Sequence, residues 1–210
     1  MVALLKFGTM MERKQRLIIM RIIKEAYSGA QSSGKSTRIN AVERVANLGF
    51  PIIVLPEYAT IVAQMGYKLN KESGVETQFK MTEMQIVDEI NAVESLKRRY
   101  PREPVGVIIC DRPVYDSYVY GTIAYKDGRM TGQELSELRE MIKKHVEKYP
   151  YDKVYFCEPR EFYGNNERLQ GHNNMDEARE FQKEVHNAFE KFYNEQYPKG
   201  FKINLERILK

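Results

Sequence analysis

Three continuous apolar runs, each set apart from the next by segments of helical pattern, constrain this chain more than any other feature. Pro51 to Pro56 encloses Ile52-Ile53-Val54-Leu55, Val105 to Cys110 is a second run, and Tyr151 to Cys157 a third. A strand that is apolar on both faces must be covered on both faces, and a parallel sheet between helices meets that demand. Arg21 to Ser28 supplies another strand candidate. The alternating Phe201, Ile203 and Leu205, after a turn at Pro198 to Gly200, predict a last strand over 201–205.

Between these runs the apolar residues take up a helical period. Ile39, Val42, Val45 and Ala46 predict a helix from Lys35 to about Leu48, stopped by Gly49. Met81, Met84, Ile86 or Val87, Ile90, Val93 and Leu96 or Lys97 predict one over Met81 to Tyr100. Met175, Ala178, Phe181, Val185, Ala188, Phe189 and Phe192 predict another over Met175 to Gln196, with Asn174 and Glu177 as its capped start. The expected fold is α/β, a three-layer α/β/α arrangement around a mainly parallel five-stranded sheet.

With 210 residues, 42% of them hydrophobic, one domain with a single core is expected over residues 20–210, preceded by an extension of unknown role at 1–19. No apolar stretch approaches the roughly 20 residues that span a bilayer, and the start lacks the ordered regions of a secretory signal. A cytoplasmic protein without a membrane role is the expectation. Cys110 and Cys157 each close an apolar run and read as buried thiols, and the three histidines lack metal-ligand spacing. The net charge of +4 suits anionic ligands, but the 33 basic residues are interleaved with 29 acidic ones, so the charge does not argue for nucleic acid, which is not the expected partner.

The residues that carry chemistry begin at Gly29-Ala30-Gln31-Ser32-Ser33-Gly34-Lys35-Ser36-Thr37. Two glycines with four residues between them, followed by Lys and Ser, form a phosphate-binding loop when they follow a strand and open a helix. Glycines let successive N–H groups turn inward toward phosphate oxygens, and the following helix adds its dipole. Lys35 is then expected at the β and γ phosphates of ATP and Ser36 at a magnesium ion.

With that loop, three further segments make the sequence resemble the P-loop nucleoside and nucleotide kinases over roughly Arg21 to Tyr197, especially the ribosylnicotinamide-kinase-like AAA branch. Pro56-Glu57-Tyr58-Ala59 is similar to the segment that places a carboxylate in the acceptor site of those kinases. Val107 to Arg112 is similar to their apolar strand ending in Asp-Arg, and Glu158 to Asn174 stands where they carry a mobile lid. Two departures accompany the likeness. Pro113 follows Asp-Arg where a Ser, Thr or Tyr is common, and the lid is poorer in arginine.

Elementary chemistry assigns parallel roles. Ligands of open parallel sheets bind beyond the carboxyl ends of the strands, so Gly29, Glu57, Asp111 and Glu158 are expected to converge. Asp111 suits the magnesium shell, with a helix cap before Val114 to Tyr125 as its alternative. Glu57 suits a general base at an acceptor hydroxyl, with a helix first-turn acid as its alternative. Arg112, Arg160 and Arg168 suit neutralising the transferring phosphoryl group or binding an acceptor phosphate, with a solvated surface charge as the alternative. Gln85 resembles the acceptor-base contact of some members of that family, with a boundary position on an amphipathic helix as its alternative, and Tyr58, Tyr67, Tyr115 and Tyr118 suit stacking on an acceptor ring, with core packing as theirs. The resulting expectation is an ATP-dependent, magnesium-dependent phosphotransferase acting on a small acceptor, either a nucleoside-like hydroxyl or a nucleoside monophosphate. The alternative is an ATP-binding regulatory module without a small acceptor. No Asn-Lys-x-Asp segment that would specify guanine is present.

Overall fold

The apolar runs form strands that all run the same way. The structure, a computed structural model, describes residues 19–46, 49–159, 172, 174–194, 201 and 203–208. In chain order the elements are β1 (Arg21–Ser28), α1 (Lys35–Ala46), β2 (Ile52–Leu55), α2 (Tyr58–Gln64), a short 3-10 turn (Asn70–Glu72), α3 (Val75–Arg99), β3 (Val105–Asp111), α4 (Tyr115–Lys126), α5 (Gly132–Lys148), β4 (Lys153–Cys157), α6 (Met175–Asn194) and β5 (Leu205–Ile208). The strands form one five-stranded sheet in the order β2-β3-β1-β4-β5, parallel at every pairing.

The two-residue alternation of each strand divides the core between the two faces. Tyr27, Ile109 and Cys157 meet Ile39 of α1 on one side. Ala26, Ile108, Cys110, Val154 and Phe156 point to the other side, where residues of α3, α4, α5 and α6 complete the larger core. That core is aromatic where α6 approaches the sheet: Phe189 lies 6.1 Å from Phe156 and 6.0 Å from Tyr120 between ring centroids. Both cysteines are free and buried.

Several boundaries differ from the pattern of the sequence, each for a visible reason. Helix α3 starts at Val75, six residues before Met81, because its first turns bury Thr77, Gln78 and Thr82 rather than apolar side chains. Helix α5 has no counterpart in the sequence expectations, although Thr131 and Glu134 form a reciprocal capping box at its start. The last strand is displaced: Phe201, Ile203 and Leu205 do face the core, but the backbone runs alongside β4 only over Leu205–Ile208. Tyr151 stands before β4, its hydroxyl turned into the interior. Asn174 caps α6 as expected, its side-chain oxygen accepting from the Glu177 N–H at 2.9 Å.

The sheet order sets β1 beside β3, and the connection leaving β1 runs past β3 to β2 while the connection leaving β3 runs past β1 to β4. At such a switch point the loops beyond the strands' carboxyl ends diverge and leave a crevice. Truncating Phe189, which is fully buried in the aromatic core, to Ala should lower the unfolding free energy by about 3–5 kcal/mol in equilibrium denaturation. Val87→Ala on the outer face of α3, where the side chain is 55% exposed, should change it by no more than about 0.5 kcal/mol.

Candidate active site

Three connections meet at that crevice: the loop after β1, the turn from β2 into α2, and the turn from β3 into α4. They bound a cleft of about 930 Å³. Gly29 opens the loop at φ +135°, and a Cβ added there would stand 2.6 Å from the Cys157 carbonyl oxygen. No side chain fits at that position. Ser32 and Gly34 also take positive φ, 60° and 78°, which curls the loop into a concave backbone of the kind that receives anions.

Lys35, the first residue of α1, is buried under this loop. Its ammonium donates to the Gly29 carbonyl at 3.0 Å, the Ala30 carbonyl at 2.8 Å and the Ser33 hydroxyl at 3.2 Å. Burial, reinforced by the nearby Arg112 guanidinium, lowers its pKa to about 8, against the opposing pull of Glu57, Asp111 and Asp116. Ser36 and Thr37 are exposed at the mouth of the loop.

Asp111 ends β3, and its Oδ2 accepts from the Ser36 hydroxyl at 2.9 Å. The capping alternative does not describe this geometry, because Val114 occupies the cap position of α4. Burial and the neighbouring Glu57 raise the Asp111 pKa, against Arg112 and Lys35. Its Oδ1 is buried with no hydrogen-bond partner among the described residues. An orphaned carboxylate oxygen beside a serine hydroxyl is an all-oxygen donor set, which fits magnesium. The curled loop likewise fits a phosphate.

Arg112 links all three connections. Its Nε donates to Glu57 Oε1 at 2.8 Å, and its Nη1 donates to the Gly29 carbonyl at 2.8 Å and to Asp116 Oδ2 at 3.0 Å. Glu57 takes the cap position of α2 without making a cap hydrogen bond, so its carboxylate is committed to Arg112. Burial disfavours the charged form of Glu57, but Arg112 and Lys35 outweigh it and hold the carboxyl below its ordinary range. Asp116 also accepts from Ser28 at 2.6 Å, and burial carries its pKa up to about 6 despite Arg112.

The loop residues from Gln31 to Thr37, with Glu57, Asp111 and Arg112, therefore line one cleft. Gly29 and Ala30 lie at its base through their carbonyls. Arg160 and Arg168 lie outside the described residues, as does most of the proposed lid. Glu158 stands apart from the cleft lining, its carboxylate toward His186 and Arg207 at 3.9 Å each.

Among the aromatic candidates, Tyr58 lines the cleft and donates its hydroxyl to Asp88 at 2.9 Å. Tyr115 and Tyr118 instead face Phe192 and Phe201 in the core, and Tyr67 is not part of the lining. Gln85 reaches the cleft, but its amide donates inward to Glu89 and to the Arg112 carbonyl.

Sequence reasoning missed Ser28, Gln78, Asp116 and Tyr120. Gln78 is only 1% exposed; its amide donates to Ser73 Oγ at 3.1 Å, and its Oε1 has no partner among the described residues. A polar residue falling on the buried stripe of α3 was the available signal for it.

The loop, the parallel sheet and the order of the segments define a P-loop protein of nucleoside-kinase-like fold. The chain belongs to the AAA domain family, matched over residues 25–198. Among solved structures it is similar to deoxyadenosine kinase from M. mycoides with bound dATP, at 20% identity and a TM-score of 0.51, covering 89% of this chain and 90% of that one. At that identity the likeness speaks for the shared α/β/α fold. Comparison with curated proteins finds no match. Among the described residues no helix is long and apolar enough to cross a membrane.

The buried ammonium gives a pH test. Because the Lys35 pKa is about 8 in the folded protein against 10.5 ordinarily, the unfolded chain binds more protons between those values, and stability should rise with pH across them. Below that window the protein carries the whole penalty of the buried charge, about 3 kcal/mol. The unfolding free energy of wild type minus that of Lys35→Met should therefore climb through this window, and a flat difference would show that Lys35 does not feel its burial.

Proposed function

We propose that this chain is an ATP-dependent phosphotransferase that moves the γ-phosphoryl group to the hydroxyl of a small nucleoside-like acceptor. The observation that carries the reading is the Glu57–Arg112 pair, a carboxylate and a guanidinium 2.8 Å apart in the same cleft as Lys35, Ser36 and Asp111. A phosphate loop alone binds nucleotide. A carboxylate across the cleft from it gives an acceptor hydroxyl somewhere to send its proton.

In this reading Lys35 exchanges its loop carbonyls for phosphate oxygens, and Ser36 and Asp111 hold magnesium. That ion, when bound, neutralises charge on the transferring phosphoryl group. Glu57 is ionised at neutral pH, orients the acceptor hydroxyl and takes its proton. Arg112 keeps Glu57 in place and adds positive charge beside the transferring group.

The nature of the acceptor follows from what remains unsatisfied. Arg112 already faces two carboxylates and a carbonyl, so it offers little to a further acceptor phosphate, which favours a neutral hydroxyl acceptor over a monophosphate. The lone Oε1 of Gln78 calls for a donor on the ligand, and Tyr58, Met81 and Tyr120 supply apolar surface in the same cleft. A heterocycle with an amino or ring N–H group meets both demands. The similar structure's own name, deoxyadenosine kinase, agrees with that chemistry.

The test is a thermal-shift screen of nucleosides and nucleotides, followed by ATP-consumption assays on the compounds that bind. Glu57→Gln should lower kcat on the active nucleoside by about a hundredfold or more. Lys35→Ala should abolish turnover while the protein stays folded, and Asp111→Asn should reduce magnesium-dependent turnover far more than nucleotide binding measured without metal. ATP binding with no nucleoside or nucleotide accelerating its consumption would favour the regulatory-module reading instead.

A further inference from the structure

Beneath the cleft, α3 buries a carboxylate that none of the steps above uses. Glu89 has no exposed surface. Its Oε2 receives the Lys24 ammonium at 2.5 Å and faces His145 Nε2 at 2.7 Å, while its Oε1 accepts from the Tyr151 hydroxyl at 2.5 Å and from the Gln85 amide at 2.9 Å. Burial works against this charge, but the donors hold its pKa down at about 2, so it is an anion at every working pH. Buried ion pairs add little net stability compared with apolar packing, and their best-attested use is to fix a geometry.

The geometry fixed here is the turn from β3 into α4. Gln85 sends its second amide proton to the Arg112 carbonyl at 2.8 Å. The Tyr151 oxygen accepts from the Val114 N–H at 2.9 Å, and since that N–H can only donate, the tyrosine proton is left for Glu89. The two side chains that sit on Glu89 Oε1 therefore bracket Arg112-Pro113-Val114 on both sides. Between them Arg112 takes φ +90°, a conformation that a side chain other than glycine keeps only when its surroundings dictate it. Pro113 adds a residue with no N–H to satisfy and a ring that bars the preceding residue from the helical region. From this backbone the guanidinium reaches Glu57, Asp116 and the Gly29 carbonyl.

We propose that Glu89 is a positioning residue of the site: through Gln85 and Tyr151 its carboxylate holds the β3–α4 turn in the conformation that lays the Arg112 guanidinium across Glu57. The consequence for turnover rests on the phosphotransfer reading above; the consequence for Arg112 itself does not. Glu89→Gln is the direct variant, but it leaves Lys24 unpaired in the interior and can fail to fold. Tyr151→Phe is the milder one, since it removes one bridge and retains the ring that packs against Lys24 and Tyr115.

Two readouts on the full chain decide the matter. In protein carrying isotope-labelled arginine, the Arg112 Nε–H signal, assigned by its loss in Arg112→Lys, should exchange with water about tenfold faster in Tyr151→Phe once the turn is released from one side. In the assay, Tyr151→Phe should lower kcat about tenfold with the KM for ATP within about twofold of wild type. Combined with Arg112→Ala it should lower kcat no further, because it acts through Arg112. A folded Tyr151→Phe protein with unchanged Arg112 exchange, or additive losses in the double variant, would overturn the proposal. If the wild type transfers no phosphoryl group, the phosphotransfer reading falls and the exchange measurement still decides the role of Glu89.

Discussion

The site depends on how one buried guanidinium is neutralised. Arg112 brings the loop after β1, the β2–α2 turn and the β3–α4 turn into a single cluster, through the Gly29 carbonyl, Glu57 and its own neighbour Asp116. A charge taken that far from water is tolerable only when paired and fully hydrogen-bonded. Its presence in turn lowers the Lys35 pKa and helps keep Glu57 ionised. With Asp111 and Asp116 included, the carboxylates of the cleft outnumber Lys35 and Arg112 by one. The unmatched charge lies nearest Asp111, where an oxygen is buried without a partner, and it suits a divalent cation arriving with a polyphosphate.

What the sequence revealed and what it hid follow from one physical difference. The phosphate loop, Glu57 and Asp111-Arg112 were legible because each stands at the end of an apolar strand, where a polar residue needs a reason. The sheet was legible because strands buried on both faces can only be apolar runs. Asp116, Gln78 and Glu89 were hidden because they lie on helices, where a polar residue reads as a solvent face unless its position on the buried stripe is known. Helix α3 shows this most clearly: Gln78, Thr82, Gln85 and Glu89 are all buried, so hydrophobic periodicity begins late and the helix looks shorter than it is. Helix α5 was passed over although its capping box was there to be read, and β5 was displaced because facing the core is not the same as pairing with a strand.

That polar stripe departs from local consistency, and departures of this kind tend to mark places where structure is given over to function. An apolar α3 would bury its face more favourably. Instead Gln78 faces the cleft with an oxygen that has no partner among the described residues, Gln85 clasps the turn that bears Arg112, and Glu89 gathers Lys24, His145 and Tyr151 behind it. One helix thus spans the distance from ligand surface to buried support. On the proposal above, the Arg112 guanidinium is aimed from this helix as well as by its partners in the cleft.

The loop lysine carries the argument one step further. Its three donors go to the Gly29 and Ala30 carbonyls and the Ser33 hydroxyl. On the reading proposed above, phosphate binding at Lys35 would be an exchange of hydrogen bonds, and the free energy it contributes would be a difference between charged and neutral acceptors. That difference favours phosphate, because a buried ammonium whose pKa has fallen to about 8 gains more from an anion than from carbonyl dipoles. On the reading proposed above, nucleotide binding would raise the Lys35 pKa back toward its ordinary value and release the carbonyls that had held the ammonium. The Gly29 carbonyl is also an acceptor for Arg112. On that reading, filling the phosphate loop would change the company of the same oxygen that helps to aim the guanidinium at Glu57, and the two halves of the cleft would be coupled through a single backbone atom.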